Sequence, residues 1–172
     1  MKSTDFDQRS CYCHEYINKA HLEFILHYLG RKRKEYLLEG PIVDLGCGNG
    51  DLLHKLKESH PLAKVIGIDR EPYEQHPDVQ YLKRNFTGTG LSDKSVLIVV
   101  SSHILDYSRE FLTDGFQFDD LFREVNRILV PGGLYFPFEF GKERLITPFR
   151  KAGYHTFGTG YQEKPFTSIT LS

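Results

Sequence analysis

Long apolar runs are missing from this 172-residue sequence. The longest, Val96 to Val100, falls far below the roughly 18 residues that a membrane-spanning helix needs, and the polar start, Met1 to Ser10, has no apolar signal core. No membrane association is expected, and the cytoplasm is the expected compartment. An excess of either charge is missing too. Lys and Arg number 22 against 23 Asp and Glu, a formal net charge of -1, so no chain-wide field favours nucleic acid or an anionic membrane. Cysteine is scarce: Cys11, Cys13 and Cys47 cannot all pair, which excludes a secreted disulfide framework. Cys11, Cys13 and His14 lie close together, but a structural zinc site takes four ligands at wider cysteine spacing and no second pair follows. No metal is expected. What the chain does have is 40% hydrophobic and 26% charged residues, the make-up of one ordinary globular domain.

The first ten residues carry no periodicity and read as a loose terminus. From Tyr16, apolar residues recur at three- and four-residue intervals through Ile17, Ala20, Leu22, Phe24, Ile25, Tyr28 and Leu29, predicting an amphipathic helix that ends near Gly30 or in the basic run Arg31 to Lys34. That run reads as a solvated face. Beyond Pro41 short apolar runs alternate with helical ones, the pattern of a parallel sheet with crossover helices. Strands are expected at Ile42 to Leu45, Lys64 to Asp69, Val79 to Arg84, Val96 to Ser101 and Leu134 to Phe140. Helices are expected at Asp51 to Ser59, Phe118 to Leu129 and Arg144 to Ala152. The stretch from Arg70 to Asp78 holds Pro72 and Pro77 and leaves room for a turn or two of helix at most. Pro137 demands a bulge or a sheet edge. His155 to Phe157 and Phe166 to Leu171 read as a closing hairpin. The fold class is α/β, a doubly wound, mostly parallel sheet of seven strands with a C-terminal hairpin; residues 1–40 form a tail and helix, and 41–172 a single core.

Gly46-Cys47-Gly48-Asn49-Gly50 falls between a predicted strand and a predicted helix, where glycines permit tight turning and let a ligand lie against the backbone. A dinucleotide loop wants glycine three residues after the second one, but Asp51 stands there. A phosphate loop is excluded because no Lys-Ser or Lys-Thr follows. Asp44 and Asp51 flank the place where a pyrophosphate would lie, and acids there would repel it. A ligand carrying a cationic amino or sulfonium group is favoured instead, and a nicotinamide oxidoreductase is disfavoured. Asp69 ends the second strand 19 residues after Gly50, where doubly wound folds place an acid that binds ribose hydroxyls.

Asp44 to Gly50, Val65 to Asp69 and Ile128-Leu129-Val130-Pro131-Gly132-Gly133 together resemble the class I S-adenosylmethionine-dependent methyltransferases, in particular their short single-domain members. The resemblance covers about Pro41 to Phe140 and implies S-adenosylmethionine as cofactor. It implies that Gly46, Cys47, Gly48, Asn49 and Gly50 pass under the methionine and ribose, that Asp44 helps hold the ammonium, and that Asp69 binds the ribose. Arg70 would line the adenosine with its apolar stem, Asn85 would read the adenine amino group, and Phe86 would add backbone or stacking contact. Ser101, Ser102 and His103 would follow the fourth strand, where methyl group and acceptor meet. Three departures stand out: Leu97 replaces the usual acid near the start of that strand, the second helix is nearly absent, and no Asn-Pro-Pro-Tyr or Asp-Pro-Pro-Tyr follows. Methylation of a nucleobase exocyclic amine is therefore not expected.

Methyl transfer from a sulfonium needs in-line approach of a nucleophile, so positioning supplies much of the rate and a base is optional. His103 is the best-placed candidate base, with ring packing as its structural alternative. Asp106 and Tyr107 could orient an acceptor or simply cap and pack the next element. Cys47 reads as a small residue with no room for nucleophilic work. The sequence favours a small-molecule acceptor while leaving protein or RNA open. Its alternative is a catalytically silent cofactor-binding scaffold or partner subunit. With no inserted domain expected, acceptor choice falls to Met1 to Gly40, the Leu105 to Phe116 loop, or a partner, with the N-terminal segment and that loop expected to act as a lid.

Overall fold

The apolar runs become strands because β-branched residues fit a sheet that is buried on both faces. In the computed structural model, which describes residues 5–72, 76–102, 104, 118–138, 154–158 and 167–171, β1 (Pro41–Leu45), β2 (Lys64–Asp69), β3 (Gln80–Lys83), β4 (Val96–Ser102) and β5 (Leu129–Phe138) pair in parallel. Two short segments, β6 (Tyr154–Gly158) and β7 (Thr167–Leu171), pair antiparallel with each other, and β7 pairs antiparallel with β5 at Leu134 and Tyr135. The order across the sheet is β3-β2-β1-β4-β5-β7-β6. This is an α/β fold around a parallel five-stranded sheet.

Side chains that alternate along the strands divide the core in two. Ile42, Ile98, Val100, Leu134, Phe136 and Phe138 face one layer, which holds Ile25, Tyr28 and Leu29 of α1 (Asp5–Lys32) and Leu52, Leu53 and Leu56 of α2 (Asp51–Ser59). Val43, Leu45, Val99 and Tyr135 face the other, closed by Leu121, Phe122, Val125 and Ile128 of α3 (Phe118–Ile128). Helices on both faces are what makes the strands apolar throughout. Among the described residues, no helix is long and apolar enough to cross a membrane.

Several boundaries differ from expectation. Helix α1 starts at Asp5, within the stretch read as a loose terminus. No Gly or Pro interrupts Asp5 to Tyr16. A 3-10 helix at Glu35–Glu39, not anticipated, buries Leu37 and Leu38 after the exposed residues Arg31, Lys32 and Arg33. Strand β3 covers only Gln80–Lys83 of the expected Val79 to Arg84. Helix α3 ends one residue early, and β5 starts at Leu129, five residues before Leu134. The ladder jumps from Val96↔Leu129 to Ile98↔Leu134, so Pro131-Gly132-Gly133 loops out of the strand instead of merely ending the helix. Gly132 takes φ 80 there, which few other residues adopt cheaply. Pro137 pairs with Ser101 of β4 and lies beyond the two residues that β7 engages, so its missing N–H falls where the β7 ladder has stopped. The expected helix at Arg144 to Ala152 and the Leu105 to Phe116 loop fall outside the described residues.

Candidate functional site

Parallel pairing brings the carboxyl ends of the strands to one edge of the sheet. Leu45 is in register with Ile68 on one side and Ser101 on the other. The chain leaves β1 toward β2 and β3, then returns to place β4 on the opposite side of β1. A crevice opens where strand order reverses in this way, and open α/β sheets bind their ligands there.

The glycine loop fills that point. The Gly46 and Cys47 N–H groups both donate to the Ile68 carbonyl, at 2.7 and 3.2 Å, which ties the loop to β2. Gly46, Gly48 and Gly50 have φ of 74, 53 and 83, all in the left-handed region. Their surroundings differ. A Cβ on Gly46 would strike Ile104 and one on Gly50 would strike Tyr81, whereas one on Gly48 would meet nothing within 4 Å. Gly46 and Gly50 are therefore glycines for packing, and Gly48 is the one whose backbone faces open space. Gly50 also caps α2, and its N–H donates to the Cys47 carbonyl at 2.9 Å.

Two carboxylates stand beside the loop. Asp69 accepts from Gly48 N–H through Oδ2 and from Glu71 N–H through Oδ1, each at 3.0 Å, which holds it at the lip of the crevice. Asp44 lies within β1, 4% exposed, and its Oδ1 is buried with no hydrogen-bond partner among the described residues. Burial pushes its carboxyl up to about 8, and the charge of Asp69 pushes the same way. Burial also drives the Cys47 thiol upward, with both acids adding to the shift. A thiol held so firmly protonated is no nucleophile. Its sulfur packs against Gly67, where a Cβ would lie 2.6 Å from it.

The other expected residues are placed unevenly. Asn49 donates to Asp51 at 2.8 Å and accepts from its N–H at 3.3 Å. Asp51 therefore does not stand free at the helix start: His76 Nε2 lies 2.7 Å from its Oδ1. Burial of Asp51 opposes its charge, but the hydrogen bonds from His76 and Asn49 outweigh it and hold the carboxyl below the usual range. Arg70 is exposed at the end of β2, and Phe86 packs against the α3 layer. Asn85, two residues past β3, spends its side-chain oxygen on the N–H and hydroxyl of Thr87, both at 3.1 Å. Ser101 is fully buried and bonded to the Tyr135 hydroxyl at 2.9 Å. His103, Asp106 and Tyr107 lie outside the described residues.

Two residues at this edge escaped the sequence reading. Tyr81 of β3 donates to the Asn49 carbonyl at 2.6 Å and walls off Gly50. His21 of α1 is 2% exposed, stacks on Phe138 at 3.8 Å, and has Nδ1 3.4 Å from Ser102 Oγ. The signal for His21 was present, since it sits three, four and seven residues before Phe24, Ile25 and Tyr28 on the apolar stripe. For Tyr81, 32 residues from Asn49, no local pattern exists.

Residues 43–136 match the family described as Methyltransferase domain, a span that opens in β1 and closes in β5. Among solved structures, the chain is similar to 1,6-didemethyltoxoflavin-N1-methyltransferase of Burkholderia thailandensis, solved with 1,6-didemethyltoxoflavin and S-adenosylhomocysteine, at TM-score 0.65 and 13% identity over 98% of this chain and 82% of that one. It is similar to a protein of Methanococcus maripaludis described as an S-adenosylmethionine-dependent methyltransferase, at TM-score 0.61 and 14% identity over 100% and 95%. A third, from Haloferax volcanii, is described as a methyltransferase and solved with the Trm112 methyltransferase activator; TM-score is 0.59 and identity 18% over 77% and 82%.

Proposed function

We propose that this chain, which belongs to the class I S-adenosylmethionine-dependent methyltransferase superfamily, transfers a methyl group from that cofactor to a small-molecule acceptor. S-adenosylmethionine, when bound, supplies a methyl group on a sulfonium centre. The observation that carries the reading is the buried, unpartnered Asp44 oxygen beside Asp69, next to the open face of Gly48. Two acids around one crevice disfavour a phosphate and favour a cation, and a glycine whose Cβ would meet nothing leaves backbone for a ligand to lie on. The residues present fit the cofactor.

On this reading Asp44 holds the ammonium group and Gly46 to Gly50 line the methionine and ribose. Asp69, pinned by two backbone N–H groups, keeps lone pairs to accept from ribose hydroxyls. Arg70, Asn85 and Phe86 stand on the adenosine side, and Ser101, Ser102 and His103 on the methyl side. The Ser101 hydroxyl already serves Tyr135. His103 is the candidate base. Residues 1–40 supply the acceptor side, with 41–172 as the core, closed at its edge by the β6 and β7 hairpin into seven strands.

The path of α1 supports that division. Tyr28 meets Phe136 edge to face, Phe24 meets both Phe136 and Phe138 edge to face, and His21 stacks on Phe138. As residue numbers fall, the helix travels along β5 toward its carboxyl end, so the residues before His21 continue past the edge where the cofactor site lies. A small acceptor agrees with the Burkholderia relative, whose own substrate is small; the cytoplasm follows from the sequence grounds given above. Calorimetry with S-adenosylmethionine and S-adenosylhomocysteine tests the cofactor. Labelled-methyl transfer into a cell extract, separated into small-molecule, protein and RNA fractions, tests the acceptor. Label confined to the protein or RNA fraction overturns the small-molecule reading, and binding without any transfer overturns the enzyme.

A further inference from the structure

A second cluster lies beside the first half of α2, built from side chains to which the methyl-transfer reading gives no role. His54 of α2 and His76, from the segment before β3, stack ring on ring, with centroids 4.1 Å apart and planes 5° from parallel. His54 Nδ1 lies 2.9 and 3.0 Å from the two oxygens of Asp78. One ligand atom from each of His54, His76 and Asp78 can be chosen so that all three lie within 4.8 Å of one another. We propose that these three residues bind a divalent transition-metal ion.

The donor set is the first argument. Two imidazoles and a carboxylate suit zinc, cobalt, nickel or copper rather than magnesium or calcium, which take oxygen ligands. Geometry is the second. An ion bonded at about 2.0–2.2 Å to nitrogen and oxygen holds neighbouring ligands roughly 3 Å apart, which is the present separation of His54 Nδ1 from Asp78. The third is the outer support. His76 Nε2 lies 2.7 Å from Asp51 Oδ1, the carboxylate-histidine arrangement usual behind a metal ligand. Asp51, Asp78 and Glu58, whose carboxylate lies 3.6 Å from His54 Nε2, gather negative charge, with Lys55 the nearby cation acting on Asp51. His54, His76 and Asp78 side chains are 30%, 15% and 31% exposed, so an ion can enter and the rings can turn out of their stack to share it. The expectation of no metal rested on Cys11, Cys13 and His14; here His54 stands 22 and 24 residues before His76 and Asp78, too far for a local spacing to show.

The test is a titration of the untagged full chain, free of cofactor, with Co2+ and Zn2+. Saturable cobalt absorption at micromolar metal is expected, along with a melting temperature raised by about 5–10 °C at a hundredfold excess of Zn2+ over its Kd. His54→Ala and His76→Ala should each weaken binding at least tenfold, and Asp78→Asn by less, while the exposed His27→Ala should bind as wild type does. His54→Ala keeps the His76 to Asp51 bond and so guards against a variant that fails to fold. No saturation up to millimolar Co2+, or equal binding by wild type and both histidine variants, overturns the proposal. Because cofactor is left out, either result is independent of the methyl-transfer reading.

Discussion

Asp44 puts a buried carboxyl oxygen, Oδ1, where no described residue bonds it. Its raised pKa means that the folded chain holds the proton more tightly than the unfolded one. Its contribution to stability is therefore whole below the ordinary value near 3.8 and is lost as pH rises toward about 8. Asp44→Asn should raise the melting temperature at pH 8 by about 2–8 °C, the equivalent of roughly 1–2 kcal/mol, and change little near pH 4. Equal shifts at both pH values in thermal denaturation would refute the assignment. The same variant should lose at least tenfold in S-adenosylmethionine affinity, since an amide cannot take the charge that a cationic ligand induces. Below pH 8 that binding should release a proton, seen in calorimetry as heats that vary with the ionisation enthalpy of the buffer. Asp69→Ala should also cost tenfold or more in S-adenosylhomocysteine affinity, with Asp69→Asn between, as charge-assisted hydrogen bonds contribute about 1.5–3 kcal/mol each. Its loss frees the Gly48 and Glu71 N–H groups as well.

Between elements, Glu124 is the buried side chain that ties α3 to the loop before β4, beside the backbone bonds from Lys94 and Ser95 to the end of the helix. It accepts from the N–H and hydroxyl of Thr89 at 2.8 and 2.6 Å and from Arg127 at 2.7 and 2.8 Å, while Arg127 also reaches the Leu91 carbonyl and Asp93. Burial opposes the charge, but the bonds from Arg127 and Thr89 prevail and hold the carboxyl at about 2. A depressed acid stabilises above its unfolded value near 4.5 and loses that contribution as pH falls toward 2. With the pair partly screened by solvent at Arg127, the loss is on the order of 1–3 kcal/mol. Denaturant melts of wild type and Glu124→Gln should therefore differ at pH 7 and converge near pH 2; a constant gap would rule the network out as the cause. Elements of this kind show what a sequence can and cannot disclose. β2 and α2 have the ends that periodicity gives, Lys64–Asp69 and Asp51–Ser59, because strand and helix periods are local. The start of β5 was missed because Pro131-Gly132-Gly133 is punctuation that ends a helix or loops out of a strand, and only the ladder on β4 decides which. In the site, the glycine loop and both acids were legible from spacing. The Tyr81 to Asn49, His76 to Asp51 and Glu124 to Thr89 bonds, between residues 25 to 35 apart, were not.

Over the whole molecule, strand order and the path of α1 meet at one edge. The crevice exists because the chain turns both ways from β1, and helix α1 reaches that edge because its buried stripe descends β5 from Phe136 to Phe138. The stripe from His21 to Leu29 is core: Ile25 and Leu29 are fully buried among Ile42, Leu53 and Phe136. Removing residues through Leu29 should leave a chain that does not unfold cooperatively, since each large aliphatic lost from a core costs about 2–5 kcal/mol. Removing only Met1 to Glu15 stops short of the stripe. That shorter deletion should keep cooperative unfolding and leave S-adenosylhomocysteine affinity within a few-fold, because no residue assigned to the cofactor lies before Pro41. A transfer site open to water and lacking one wall holds its acceptor poorly, and a misplacement of about an ångström costs on the order of 10²-fold in rate. Methyl transfer into the extract fraction that wild type labels should fall by that factor. Full transfer by the shortened chain would place the acceptor wall elsewhere, and loss of S-adenosylhomocysteine binding would make the same segment a cover for the cofactor.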